Sequence, residues 1–325
     1  MTTAKAIRFA RTGGPEVLEY VDVEVGDPGP GEARVRNHAI GVNFIDTYHR
    51  TGLYKLDLPA VLGVEGAGVV DAVGPSVASF AVGDRVAYVR KSPGSYAELT
   101  NVEAAFATKL PPEIAFETGA AMMLKGLTVE FLLRRLHVRP EPDEMILWHA
   151  AAGGVGLIAC QWAKAKGFQL IGTAGNKDKC ELARANGAAH VIDYKKEDVV
   201  ARVRELTEGR GVRIVYDSVG ADTWERSIDC LQPLGLMVSF GNASGPVPPI
   251  SLLTLSQKGS LYVTRPTMFS YFARYGQEMM TAVVDIVRSG KVKIAIGRTY
   301  PLADAAQAHT DLESRATTGS VVLIP

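Results

Sequence analysis

Three glycines, Gly153, Gly154 and Gly156, stand between an apolar run at 145–149 and a helical pattern at 154–166. A lone Gly-rich match is a weak signal, and its placement between strand and helix is what gives it meaning. A pyrophosphate needs a tight turn, a backbone it can approach closely, and a helix start packed hard on the preceding strand. Gly153 suits the close approach and Gly156 the packing, while Ala151 stands where the usual fingerprint has its first glycine. The amides of Gly154 and Val155 open the helix, so its unpaired N–H groups and dipole favour phosphate there. The bland alternative is a packing turn that binds nothing.

The next strand decides which dinucleotide is expected. An NAD site carries an acidic residue roughly 20 residues on, at the end of the second strand, to hold the ribose 2′-hydroxyl. Here Gly175 follows Gly156 by 19 residues, preceded by Ala174 and followed by Lys177 and Lys179. Lysines there suit a 2′-phosphate, and on a bare helix start they would oppose the dipole. NADPH is therefore the expected cofactor, although Asp178 could still receive a ribose hydroxyl.

These residues need a parallel sheet beneath them, and the pattern supplies one. Strand-like runs at 145–149, 169–173, 190–193, 214–218 and 236–240 alternate with helical runs at 154–166, 178–186, 198–207 and 222–231. Such alternation implies a parallel sheet with right-handed crossovers. Residues 117–136 and 275–289 also read as helices. Before about residue 110 the chain shows short β-branched runs, such as 5–9, 33–40, 66–73, 85–89 and 96–99, broken by Gly-Pro, Gly-Asp and Pro-Gly pairs. The tail at 321–324 is strand-like and could return to that first lobe.

The chain has 325 residues, which suits two domains. Its 35 basic residues offset its 35 acidic ones, so no global field attracts nucleic acid or an anionic membrane. The uncharged run 145–163 is long enough to span a bilayer, but its glycines and His149 argue for a buried strand, turn and helix. Three cysteines with no CxxC pair read as reduced thiols, and the amino terminus carries no secretory pattern. A cytoplasmic protein without membrane insertion is expected.

The run from Asp143-Glu144 through Gly153-Gly154-Val155-Gly156 to Gln161 and Lys164 resembles the signature of the quinone oxidoreductases and zeta-crystallins, within the medium-chain dehydrogenase/reductase superfamily. Asn43-Phe44-Ile45-Asp46, Gly63-Val64-Glu65-Gly66, Val82-Gly83-Asp84-Arg85-Val86, Tyr216-Asp217-Ser218-Val219-Gly220 and Ser239-Phe240-Gly241-Asn242 extend the resemblance along the whole chain. It implies an α/β protein in which a Rossmann doubly wound parallel sheet, residues 125–294, joins a GroES-like β-rich catalytic domain, residues 1–124 and 295–325. The active cleft would lie where the two meet, and a homodimer would form through the Rossmann lobes.

Zinc enzymes of that superfamily place a Cys in the first lobe, a His in Gly-His-Glu and a further ligand before the Gly-rich turn. Here 43–46 holds no Cys, Val64 precedes Glu65, and Met122-Met123-Leu124-Lys125-Gly126 offers no Cys, His or carboxylate. Without thiolates or imidazoles no catalytic zinc site can be assembled, so no metal is expected. A hydride donor lacking a Lewis acid suits an electron-poor acceptor. The expected activity is therefore reduction of a quinone, by hydride or by single electrons; reduction of an alkenal or enoyl C=C bond is the alternative. A non-catalytic NADPH-binding protein is the reading from another class.

Candidate catalytic residues come from the family-like segment. Asn43 could donate to the acceptor oxygen or the cofactor, with Asp46 as a hydrogen-bond partner. Tyr48 and Tyr54 could stack on a flat ring or simply pack. Lys125 could face the nicotinamide end or pair with a buried carboxylate. By resemblance, Lys179, Tyr194 and Arg315 line the adenosine phosphate, Arg315 having a surface ion pair as its alternative. Ser218, Phe240, Gly241 and Asn242 border the crevice on the same grounds, and Val263, Thr264 and Arg265 lie near the nicotinamide. His149 is expected to be satisfied structurally.

Overall fold

The structure is a computed structural model and describes residues 2–325. The chain divides into two units. The first runs to Leu127 and adds Tyr275–Gly290 and Ile294–Pro325; the second comprises Thr128–Arg274 with Lys291–Lys293. The second half of the long helix Met268–Arg288 thus groups with the first unit, whereas the sequence reading gave 125–294 to the dinucleotide lobe.

The first unit is built on two sheets. Thr2–Phe9 pairs antiparallel with Glu19–Val25 on one side and Ala60–Val61 on the other. In the larger, seven-stranded sheet, Glu32–Val42 pairs antiparallel with Glu65–Val73, Leu99–Glu103 and Ser320–Ile324. Alternation over 32–37 gives that strand one buried face, Ala33, Val35 and Asn37, with charged residues between them. The tail strand does return to the first lobe: Val321 lies opposite Val42, and Ile296–Pro301 pairs parallel to it. Phe9, Ile40, Leu62, Tyr96, Leu302 and Leu323 bury together, so both ends of the chain share one core. The expected strand 96–99 is displaced to Leu99–Glu103; residues before it bond instead to the first strand, Ile7 N donating to Tyr96 O and Glu98 N to Lys5 O.

The second unit holds a six-stranded, wholly parallel sheet. In chain order its strands are Met145–Trp148, Gln169–Ala174, His190–Asp193, Val212–Asp217, Leu231–Ser239 and Tyr262–Thr264, and they lie side by side as third, second, first, fourth, fifth, sixth. This is the Rossmann order, which reverses direction between the first and fourth strands and opens a crevice at their carboxyl ends. Trp148 and Tyr216 stack there with ring centroids 4.8 Å apart, both fully buried. The fifth strand begins five residues before the expected 236, and the sixth was not expected. Among the described residues no helix is long and apolar enough to cross a membrane.

Candidate functional site

The Gly-rich turn is shaped by contacts that a side chain would break. A Cβ on Gly156 would overlap Ala150 O and lie 2.6 Å from Ala151 O, so the helix start sits directly on the turn. A Cβ on Gly172 would lie 2.6 Å from the Ala151 methyl, so a glycine on the second strand makes room for the Ala that replaces the usual first glycine. Ala150 adopts φ 56°, and Ala151 N donates to Thr173 O at 3.0 Å. Gly153 differs: its Cβ would meet only Ala150 O, at 3.3 Å. It caps the helix Gly154–Lys166 with no side-chain hydrogen bond, leaving the first amides for an anion. The residues present therefore fit a dinucleotide pyrophosphate.

At the end of the second strand Ala174 is buried, and a Cβ on Gly175 would come within 2.6 Å of the Tyr194 hydroxyl. The phenol of Tyr194 thus lies across the glycine that stands where an NAD site has its acidic residue. Asn176 caps the helix Lys177–Ala185 by accepting from Lys179 N at 2.9 Å, which puts Lys179 in the first turn. Lys177 lies 3.8 Å from Glu181 on the surface.

The loops after the later strands are equally close-packed. A Cβ on Gly241 would overlap Ser218 O, so the turns at 218 and 241 touch through backbone. Phe240 packs against Trp148 at 5.4 Å between centroids. Arg265 donates to Ser239 Oγ and Gly241 O, at 3.0 and 2.8 Å, fixing the loop that holds Asn242. Val263 and Thr264 lie on the sixth strand, with Val263 exposed. Arg315 is exposed in the first unit with φ 60°. Of the acidic residues just before it, Glu313 pairs with Arg50 and Asp311 with Arg298.

The catalytic candidates of the first unit form a buried polar cluster. Asn43 caps the helix Phe44–Thr51, and its backbone N–H donates to Asp46 Oδ2 at 2.8 Å. Its side-chain amide donates to Glu65 Oε1 at 2.7 Å, which engages the amide that was expected to meet an acceptor. Glu65, wholly buried, also accepts from Leu124 N at 2.6 Å and from Lys125 Nζ at 3.1 Å. Lys125 gives a further hydrogen bond to Val42 O, at 3.3 Å. Of its two readings, pairing with a buried carboxylate is the one the geometry matches, from the middle of the helix Phe116–Arg134. Tyr48 and Tyr54 meet edge to face with centroids 5.4 Å apart, Tyr48 nearly buried and Tyr54 half-buried.

Asp46 is wholly buried, and its Oδ1 has no hydrogen-bond partner. Desolvation raises its pKa from 3.8 to about 7, against the hydrogen bonds from Asn43 and Tyr96. An acid whose folded pKa is raised holds its proton after the unfolded chain has lost it, so the fold loses stability as pH climbs from about 4 to about 7. Asp46→Asn should remove that loss. The melting temperature of the wild type relative to D46N is expected to fall between pH 5 and pH 8, and a constant difference would contradict the assignment.

Two groups of residues went unforeseen. Tyr96 donates to Asp46 at 3.0 Å and lies 3.1 Å from His309 Nε2; His309 Nδ1 lies 3.0 Å from Arg50, which forks onto Glu313 at 2.8 and 3.0 Å. Because Arg50 only donates, His309 must accept at Nδ1 and carry its hydrogen on Nε2. The second group surrounds His149, which is fully satisfied, as expected: Nδ1 faces Thr173 Oγ1 at 3.0 Å and Nε2 faces Ser227 Oγ at 2.9 Å. No spacing in the sequence signals either group, since their members lie up to 259 residues apart.

At the positions where zinc enzymes have ligands, Val64 is buried and Lys125 is a cation, and no three of His, Cys, Asp and Glu are grouped to hold a metal among the described residues. Two family models match the chain: "Alcohol dehydrogenase GroES-like domain" over residues 29–112 and "Zinc-binding dehydrogenase" over residues 154–289. The chain is 56% identical to a quinone oxidoreductase of Pseudomonas aeruginosa, covering 99% of this chain and all of that one. A crystal structure of the Escherichia coli quinone oxidoreductase complexed with NADPH superposes with a TM-score of 0.96 at 52% identity, covering both chains completely. A 2-haloacrylate reductase of a Burkholderia species is 41% identical over 97% of each chain. On these likenesses the chain belongs to the quinone oxidoreductase family, the zinc-independent type within the medium-chain dehydrogenase/reductase superfamily.

Proposed function

We propose that this protein is an NADPH-dependent quinone reductase that works without a metal. NADPH, when bound, supplies the hydride or electrons that reduce the quinone. The observation that carries the reading is the end of the second strand, where Gly175 lies under the Tyr194 phenol and Lys179 sits in the next helix turn. Ala174, Gly175, Lys179 and Tyr194 hold the adenosine phosphate. Gly153, Gly154, Val155 and Gly156 hold the pyrophosphate through backbone amides. Ser218, Phe240, Gly241, Asn242, Val263, Thr264 and Arg265 line the rest of the dinucleotide. Tyr48 and Tyr54 offer aromatic surface to the quinone, and Asn43, Asp46 and Lys125 form the polar frame beneath them.

With 1,4-benzoquinone as acceptor, kcat/KM for NADPH should exceed that for NADH by about tenfold or more, as loss of charge-assisted contacts to one phosphate implies. A higher value for NADH, or no turnover of any quinone, would overturn the proposal. Reduction of an activated C=C bond is the second reading, favoured by the likeness to the 2-haloacrylate reductase, and 2-chloroacrylate as acceptor tests it.

The proposed assembly is a homodimer through the second unit. The sixth strand ends the sheet with Tyr262 58% and Val263 38% exposed, an apolar edge suited to pairing with another copy. The proposed compartment is the cytoplasm, which the free buried thiols of Cys160, Cys180 and Cys230 support.

A further inference from the structure

The carboxyl ends of the first, second and fourth strands are joined by one buried hydrogen-bond chain whose direction can be worked out. Ser227 Oγ donates to Asp217 Oδ2 at 2.7 Å, so its lone pairs face His149 Nε2, 2.9 Å away, and must accept from it. His149 Nε2 therefore carries the hydrogen, and Nδ1 accepts from the Thr173 hydroxyl at 3.0 Å. The Thr173 hydroxyl also lies 3.4 Å from Ala150 N and receives it, while Thr173 O receives Ala151 N. At the far end Asp217 accepts from the amides of Val219 and Gly220, at 2.7 and 3.1 Å, and from the Thr223 hydroxyl at 2.6 Å. His149, Thr173, Asp217 and Ser227 are all at most 2% exposed.

The chain therefore holds two turns at once. One is Ala150–Ala151, the bend that brings Gly153 and the helix amides to the phosphates; the other is Val219–Gly220, directly after Ser218. His149 also extends the sheet, its backbone N–H donating to Tyr216 O at 3.0 Å. Neutral imidazole accepts on one ring nitrogen and donates from the other, with the two held at a fixed spacing by the rigid ring. Burial lowers its pKa, which keeps it in that form. We propose that His149 is a positioning residue for the dinucleotide, setting the pyrophosphate turn through Thr173 and registering it against the 218–220 turn through Ser227 and Asp217. The proposal rests on the NADPH-binding reading above.

The test compares two ligands on three variants of the full chain, NADPH and adenosine 2′-monophosphate, the latter lacking a pyrophosphate. His149→Phe should weaken NADPH about tenfold or more, and Thr173→Val should weaken it several-fold, since each removes buried hydrogen bonds from the turn. His149→Gln, which retains a donor toward Ser227, should fall between the wild type and H149F. Adenosine 2′-monophosphate should change by less than about twofold throughout, because its contacts lie beyond Gly175. Should H149F not fold, T173V keeps the test intact. NADPH affinity unchanged in the folded variants would overturn the proposal, as would equal loss of both ligands, which marks a general structural defect. Failure of the wild type to bind NADPH would instead bring down the underlying reading, and the positioning role with it.

Discussion

Gly156→Val is expected to weaken NADPH binding by at least about a hundredfold, near 2.7 kcal/mol, and to lower the thermal midpoint as well. The reason is the identity of the atoms a side chain would meet. Its Cβ would overlap Ala150 O and stand 2.6 Å from Ala151 O and 2.7 Å from Ala151 C, all backbone of the turn that shapes the phosphate site. Backbone atoms cannot rotate aside as a side chain can, so either the helix start moves away from the strand or the turn opens. Gly153→Ala is the informative control. Its φ of −79° suits any residue, and its methyl would meet only Ala150 O at 3.3 Å, so the fold should keep its stability. NADPH should nonetheless bind less well, because the methyl fills the approach left for the pyrophosphate. Isothermal titration on both variants separates the two effects. Wild-type affinity in G156V would refute the role assigned to the turn.

Lys125→Met should cost about 3–5 kcal/mol of stability, the usual cost of stranding a buried charge. Glu65 is fully enclosed, and Lys125 is the cation that faces it, 3.1 Å away. With the ammonium gone, Glu65 retains the Asn43 amide and Leu124 N–H, which do not neutralise a carboxylate. Adding Glu65→Gln to Lys125→Met should recover part of the loss: no charge is left to bury, but the new NH2 faces either the Asn43 amide or Leu124 N–H, both donors. Chemical denaturation of the wild type, both single variants and the double variant gives the coupling. A K125M variant within 1 kcal/mol of wild type would mean that the pair is better solvated than its burial implies. The pair also explains a glycine: a Cβ on Gly41 would overlap the Glu65 carboxylate.

The succession of strands and helices along the second unit was readable because five apolar runs alternate with four helical ones at short spacing. The Gly-rich turn and Gly175 were readable because local backbone demands are written as residue types in place. Other features were hidden for physical reasons. The fifth strand starts at Leu231, but Pro233 and Gly235 read as a turn, and Leu234 does take φ 62° within it. The sixth strand has three residues, too few for a period to emerge. Ala151 looked like a departure from the fingerprint; the compensating Gly172 sits 21 positions on, and only the pairing of the first two strands brings them together. Residue type alone left two roles open for Lys125, because a lysine beside a site and a lysine beneath it look the same until its partner is known. The His309 and His149 networks are tertiary throughout. In one-dimensional form they are isolated polar residues, and their meaning comes from what the fold places against them.

The strand Ser320–Ile324 lies antiparallel to Glu32–Val42. A ribosome delivers the second of these partners only after the entire parallel-sheet unit that lies between them. For all that time the edge at Ile40–Val42 lacks its neighbour, and an unpaired edge is where chains stick to one another. The nascent first lobe is thus an unfinished sheet until residues 320–324 are made, whereas the second unit has all its strands by Thr264 and can close earlier. The order of folding in the cell would then run opposite to the order of the lobes along the chain.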